Sequence, residues 1–473
     1  MRLGHTKSRL GHSAVDSKLP KDDSVKNLVV QDIRCFHSEM VVPLAPLTLL
    51  VGENSAGKST FLAATRLAWD IAHGNFQPDF NEEPFPLGAY DQIANLRGGR
   101  GGRAESFSIG FEFTAPKKLR MPHETRPPRV RATFVQGGAQ PHATEWTCGN
   151  DSYSLAIDIP IVEDGKRHPS KLRVATPSGK FIQNFPHWAF PGPGFDLHMI
   201  RYLLSPSARV GPEGTGYQHD GPSTSDAKNP TDQEIESLAG LLSSILQSAP
   251  SRPYAMAPIR TEPLRTYHPT RETRRASGAH VPMVLAEMSG DASESWSALK
   301  KRLDAFGSES GLFHSLNIKR LGKKVSDPFQ LEIKASGKAF NLVDVGYGVS
   351  QALPILVDSL MSDHKFFLMQ QPEVHLHPKA QAALGSLLGS LVKQDKKRFI
   401  VETHSDYILD RIRLDVRDKK SISHEDVLIL YFERNEKEVT VHPIHIDARG
   451  NVVDAPPCYR EFFLSEERRF FGV

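Results

Sequence analysis

The chain has 473 residues, 39% hydrophobic and 24% charged, with a formal net charge of +3. That length leaves room for two or three domains and an ample core, and so small a net charge does not advertise a polyanion partner for the chain as a whole. No apolar run approaches bilayer-spanning length, and the three cysteines, Cys35, Cys148 and Cys458, show no paired spacing; the chain therefore reads as a cytoplasmic protein of a reducing compartment, with no membrane partner.

Residues 1–26 are polar and lack the apolar stretch of a signal peptide, so they read as a flexible lead. The run Leu47-Thr48-Leu49-Leu50-Val51 is short, apolar and β-prone, and predicts a strand. It feeds Gly52-Glu53-Asn54-Ser55-Ala56-Gly57-Lys58-Ser59, which fits the phosphate-loop pattern G-x-x-x-x-G-K-S/T. Between Thr60 and His73, Phe61, Leu62, Ala64, Leu67, Ala68 and Ile71 recur at helical spacing. Strand, glycine loop and helix in that order build an anion cradle, because successive backbone N–H groups face the phosphates at the positive end of a helix. Gly52, Asn54, Ser55, Ala56, Gly57, Lys58, Ser59 and Thr60 are the candidate nucleotide-binding residues. Lys58 would reach the β- and γ-phosphates, and Ser59 would set its hydroxyl on Mg²⁺. The segment predicts a site for ATP or GTP.

The middle of the chain says less. Between residues 105 and 183, the runs Ser106 to Thr114, Val130 to Val135, Tyr153 to Ile161 and Leu172 to Ala175 are β-prone and separated by Gly, Pro and Asn, which predicts an antiparallel β-layer. Residues 184–230 are rich in Pro, Gly and Ser without periodicity and read as a long loop. Glu234 to Gln247 and Ser293 to Phe306 return to helical patterns. Within Tyr254 to Arg265, Arg260 and Arg265 each follow a proline by two residues and could face phosphates, or could pin a structural loop through salt bridges. Four local basic clusters stand out: Lys117, Lys118 and Arg120; Arg126, Arg129 and Arg131; Arg271, Arg274 and Arg275; Lys300, Lys301 and Arg302. Each is either a solvated face or a nucleic-acid patch.

Three further signals fall within sixty residues. Val345-Gly346-Tyr347-Gly348-Val349-Ser350-Gln351 precedes a helical apolar pattern through Leu360. Phe366-Phe367-Leu368-Met369 runs into Gln370-Gln371-Pro372-Glu373-Val374-His375-Leu376-His377-Pro378. Phe399-Ile400-Val401-Glu402 ends in Thr403-His404-Ser405. His375 and His377, spaced i and i+2, lack the ligand spacing of zinc sites.

In this order, the motifs resemble ABC-type ATPase heads, in the branch of the RecF-like and overcoming-lysogenization-defect (OLD) proteins. The resemblance covers roughly residues 26–115 and 330–435. It implies that Gly346, Gly348, Ser350 and Gln351 form the signature loop that contacts the γ-phosphate held by a partner subunit. It likewise implies that Phe366 to Gln371 is the Walker B strand, His375 to Pro378 the D-loop and His404 the switch histidine. Gln92 falls where such heads carry their Q-loop, and a surface amide is the alternative. The wider pattern is similar to standalone bacterial ATPases, some of which serve in anti-phage systems.

One departure bears on mechanism. In the resembled heads the Walker B strand ends in two acids, and here Gln370 and Gln371 stand there. An amide can position water but cannot take its proton or attract Mg²⁺ as a carboxylate does. Either the head hydrolyses ATP slowly and works as an ATP-gated clamp, or Glu373 or Glu402 supplies the charge, or one glutamine is a substitution that traps bound nucleotide. The resemblance thus marks Gln370, Gln371, Glu373 and His404 as the catalytic set and Ser59 with Gln370 as the metal set.

The expected fold is α/β: a P-loop NTPase head with a mixed sheet assembled from residues 27–115 and 331–435, an inserted β-rich and helical region at 116–330, and a C-terminal β extension at 436–473. About seventy residues follow His404, and their scattered acids form no tight Asp-x-Asp pair. The expectation is a head without its own nuclease that dimerises through its ATP sites and signals through a separate effector. A RecF-like repair ATPase that binds DNA directly is the alternative, and a transporter ATPase subunit a more distant one.

Overall fold

The computed structural model describes residues 25–97, 102–114, 126–160, 170–185, 231–248, 251–269, 273–290, 294–361, 364–435, 438–459 and 469. Residues 1–24, 186–230, the cluster Lys117, Lys118 and Arg120, and Arg271 lie outside them. Nine strands form on the N-terminal side of the chain: β1 (Val25–Gln31), β2 (Met40–Pro43), β3 (Leu47–Gly52), β4 (Ser106–Phe113), β5 (Arg129–Gly137), β6 (Gln140–Gly149), β7 (Ser154–Asp158), β8 (Ser170–Thr176) and β9 (Gly179–Phe185). Nine more follow: β10 (Tyr254–Met256), β11 (Ser315–Arg320), β12 (Phe329–Ser336), β13 (Lys338–Asn341), β14 (Phe366–Gln370), β15 (Arg398–Glu402), β16 (Val427–Arg434), β17 (Val439–Ile446) and β18 (Val452–Val453).

The site is positioned by a mixed sheet in the order β10-β14-β15-β3-β16-β17-β18. β10, β14, β15, β3 and β16 run parallel, and β17 and β18 close the edge antiparallel. A parallel sheet is covered on both faces, so its strands are apolar throughout and divide their residues by alternation. Leu50, Phe366, Leu368, Ile400, Leu428, Leu430 and Phe432 enter one core. Leu47, Leu49, Val51, Phe367, Met369, Phe399, Val401, Val427 and Ile429 enter the other. The P-loop helix, Lys58–Ala72, lies between this sheet and the antiparallel one, touching β15 on one side and β1, β4 and β5 on the other. It is therefore buried nearly all round, which suits the small Ala63, Ala64, Ala68 and Ala72.

Two expected boundaries move. The antiparallel sheet, β2-β1-β4-β5-β6-β7-β8-β9, begins at Val25, so the 27–115 segment is shared between two sheets. The 116–330 region is not wholly an insertion: Tyr254–Met256 pairs in parallel with β14, register Tyr254↔Phe367 to Met256↔Met369, and becomes the edge of the core sheet. Three residues bounded by prolines were too short a run to show β periodicity. β17, expected within a C-terminal extension, likewise extends the core sheet through β16.

Candidate nucleotide-binding site

β3 ends in a loop whose backbone twice enters the left-handed region before the helix, at Gly52 (φ 129°) and Ser55 (φ 60°), and again at the helix cap Gly57 (φ 89°). Alternating left-handed residues turn consecutive N–H groups to one side, which makes an anion nest. Space also demands the two glycines. A Cβ on Gly52 would lie 2.3 Å from the Phe432 carbonyl oxygen, and one on Gly57 would lie 2.4 Å from Cys35 Sγ. The Lys58 ammonium donates to the carbonyls of Gly52 (2.9 Å) and Glu53 (2.6 Å), which holds it inside the loop. Burial lowers its pKa, opposed by Glu402 and Glu53. The loop opens on a cavity of about 830 Å³ whose lining includes Asn54, Ser55, Gly57, Lys58, Ser59, Thr60 and Glu402. Ala56 is fully buried and can offer a ligand only its backbone.

Parallel pairing sets Gln370 opposite Glu402 at the carboxyl ends of β14 and β15. Ser59 Oγ joins them: it donates to Glu402 Oε2 (2.9 Å) and accepts from Gln370 Nε2 (2.8 Å). Gln370 thus turns its amide nitrogen, a donor, toward the Ser59 hydroxyl. Desolvation raises the Glu402 pKa, opposed by Ser59, Lys58 and Gln370. The oxygen set of Ser59 and Glu402 fits a hard cation such as Mg²⁺, which takes one or two carboxylates beside substrate phosphates.

Glu373 does different work. Its Oε1 accepts the backbone N–H of His404 at 2.7 Å, while the buried Oε2 has no hydrogen-bond partner. Burial pushes its pKa up, opposed first by the His404 N–H. Arg260 is also buried; its Nη2 donates weakly to the Gln371 carbonyl (3.4 Å), and Nε and Nη1 have no partner. Burial lowers its pKa to about 10, with Glu373 opposing. Arg265, by contrast, pairs with Asp344 at 2.6 Å on the surface. The His404 ring has its pKa lowered by desolvation and by the Lys58 charge, which places those two side chains in one electrostatic neighbourhood.

The predicted signature residues separate into two groups. Gly346 caps the helix Tyr347–Leu360 and is exposed. Gly348 packs so closely on the next loop that a Cβ would lie 2.9 Å from the His375 carbonyl oxygen. Ser350 and Gln351 turn inward: Ser350 Oγ donates to the Tyr347 carbonyl (2.8 Å), and Gln351 is 1% exposed. At about 3.6 residues per turn, positions 350 and 351 fall on the core face of the same helix. The β14 strand leaves through Gln371 (φ 43°) and His375 (φ 66°), both left-handed. The His375 ring meets Tyr347 edge-on, and His377 caps the helix Pro378–Asp395 by accepting from Lys379 N. Gln92 spends its amide oxygen on the Ala89 N–H (3.0 Å) while the residue lines the cavity.

Arg34 and Arg103 line the cavity too, and no motif announced them. Arg34 reaches Thr60 Oγ1 (3.2 Å) and the Leu87 carbonyl (2.8 Å) from a left-handed residue beyond β1. With Lys58 they give the cavity three cations, a lining suited to phosphate.

Residues 243–409 match the family model of an AAA ATPase domain. The chain is 22% identical over 431 residues to the OLD nuclease of Thermus scotoductus, covering 87% of this chain and 65% of that protein. These matches support an ABC-like, OLD-like ATPase. The matched segment spans β10, the helix Tyr347–Leu360, β14 and β15, and β3, which leads into the P-loop that it omits, pairs into the same sheet as β10, β14 and β15. Among solved structures, an Smc head with an extended coiled coil from Pyrococcus furiosus is 10% identical with a TM-score of 0.43, covering 94% of this chain and 100% of that one. The SMC head domain from Thermotoga maritima is 12% identical with a TM-score of 0.37, covering 89% and 100%. Scores this low add nothing to the topology itself. Among the described residues, no helix is long and apolar enough to cross a membrane.

Proposed function

We propose that the protein is an ATP-gated head that pairs with a second copy over bound nucleotide and acts as a sensor or clamp in antiviral defence, its output delivered by a separate effector. The observation that carries the nucleotide part is the nest of Gly52, Ser55 and Gly57 around the Lys58 ammonium, opening on a cavity lined by cations. Lys58 and the loop amides hold phosphates, and the Ser59 hydroxyl would sit on Mg²⁺, which when bound polarises the phosphoryl oxygens. His404, held through its backbone by Glu373, would face the γ-phosphate. Neutral Gln370 and Gln371 make turnover slow, so that binding and release govern the output. The pairing part is supported by an exposed Gly346 beside half-exposed Phe340, Val343 and Tyr347, outside the cavity of its own subunit. Only the closed pair would make both sets of nucleotide contacts, so ATP would shift the population towards it.

Half of the described cluster cations are spent on neighbouring acids, which favours this reading over direct DNA binding. Arg129 and Arg131 pair with Glu39, Arg129 also with Glu112, Lys300 with Asp304 and Arg302 with Asp395. Lys58→Ala removes the cation held inside the loop and is expected to weaken ATP binding by on the order of 100-fold, as two charge-assisted contacts of about 1.5 kcal/mol each would do. Calorimetric titration checks it, and parent-like affinity would contradict the phosphate-loop assignment.

A further inference from the structure

The acid missing from β14 has a replacement one strand away. We propose that Glu402, at the end of β15, is the carboxylate that holds the divalent cation of this site, in the place that Gln370 has vacated. The proposal rests on the nucleotide-site reading above and adds to it which residue carries the charge.

Geometry comes first. Ser59 is the hydroxyl that a phosphate loop offers to the metal, and Glu402 Oε2 lies 2.9 Å from it. No oxygen of Gln370 makes that contact; its Nε2 does. The register Gln370↔Glu402 puts the two side chains side by side at equal height, and adjacent strands lie only about 4.8 Å apart. A carboxylate moved across one strand therefore stays within reach of the same ion.

Charge comes second. Among the described residues that line the cavity, Glu402 is the one acid. Glu373 is occupied elsewhere, on the His404 N–H, and Glu53 is exposed and does not line the cavity. A magnesium ion bound with phosphates needs only one or two carboxylates, so a single relocated acid suffices. Burial supports the same role: Glu402 is 4% exposed, and its hydrogen bonds hold it in place before any ion arrives.

The experiment compares the full-length parent with Glu402→Gln, Gln370→Glu and the double exchange Gln370→Glu/Glu402→Gln. Mn²⁺ is the probe, its binding to the nucleotide-loaded protein read by electron paramagnetic resonance, and nucleotide affinity is measured separately in EDTA. Glu402→Gln is expected to weaken Mn²⁺ binding on the order of 10- to 100-fold, the range seen when a metal site loses a tuning contact, or more. Its metal-free nucleotide affinity should be unchanged or tighter, since a negative charge leaves the neighbourhood of the phosphates. The double exchange should recover most of the Mn²⁺ affinity, a rescue that a merely structural role for Glu402 would not produce. Parent-like Mn²⁺ binding by Glu402→Gln would overturn the proposal, as would a double exchange that stays as weak as the single variant while binding metal-free nucleotide normally. A parent that binds no nucleotide in EDTA or in Mn²⁺ would instead overturn the nucleotide-site reading, and the proposal with it.

Discussion

At the scale of single residues, the site depends on two positions where backbone and space leave no choice. Gly57 combines φ 89° with a Cβ position 2.4 Å from Cys35 Sγ. Gly57→Ala should therefore distort the loop that carries Lys58, and ATP affinity should fall without a comparable loss of melting temperature, because the helix behind it is held by packing on both sheets. Equilibrium binding alongside thermal melting checks this. Glu373 is the second. Glu373→Ala removes the acceptor of the His404 N–H, a part-buried hydrogen bond, which costs about 1 kcal/mol in folding free energy. Turnover should fall with nucleotide affinity intact, because Glu373 does not line the cavity. Urea unfolding and steady-state kinetics measure the two effects.

At the scale of elements, the helix Tyr347–Leu360 and the His375 loop move as one contact. Gly348→Val would push its side chain into the His375 carbonyl oxygen, which stands 2.9 Å from the Cβ position. The expected result is loss of ATP-promoted association with single-head ATP binding retained, read by light scattering and by titration. The helix Asp232–Ser248 offers a test that involves no ligand. Both carboxylate oxygens of Glu234 are occupied, one by the Ser178 N–H and hydroxyl, the other by the Thr231 N–H and hydroxyl. Those bonds to the charged form lower its pKa from 4.5 to about 2. A depressed folded pKa means that the stabilisation is complete above the unfolded value and drains away as pH falls from about 4.5 towards 2. Glu234→Gln should therefore melt below the parent at neutral pH, with the gap closing through that acid window.

Much of this was legible in the residues. The P-loop, its strand and its helix follow from spacing alone, and β14 and β15 from apolar runs long enough to carry a pattern. The antiparallel sheet was half legible: β5, β7 and β8 showed β-prone residues, whereas β6 (Gln140–Gly149) hides its alternation behind Pro141, Glu145 and Gly149. The role of Arg34 was not legible, because a lone arginine beyond β1 acquires meaning only when the fold brings it to Thr60. Nor was the choice between Glu373 and Glu402: both follow apolar strands, and the register of β14 with β15 decides which one reaches Ser59.

At the scale of the whole molecule, the two cores make the core sheet a shared wall, with the P-loop helix and antiparallel layer on one face and the helix Tyr347–Leu360 on the other. A nucleotide bound at the loop therefore faces one side of the sheet's carboxyl edge, and Gly346 opens on the surface away from that cavity. The proposed clamp would complete its nucleotide contacts only with a second copy. The most direct measurement is the molar mass in solution by light scattering, with and without ATP and Mg²⁺. A dimer promoted by ATP and abolished by Lys58→Ala is the predicted result, and a mass indifferent to ATP in a parent that binds ATP would contradict the clamp.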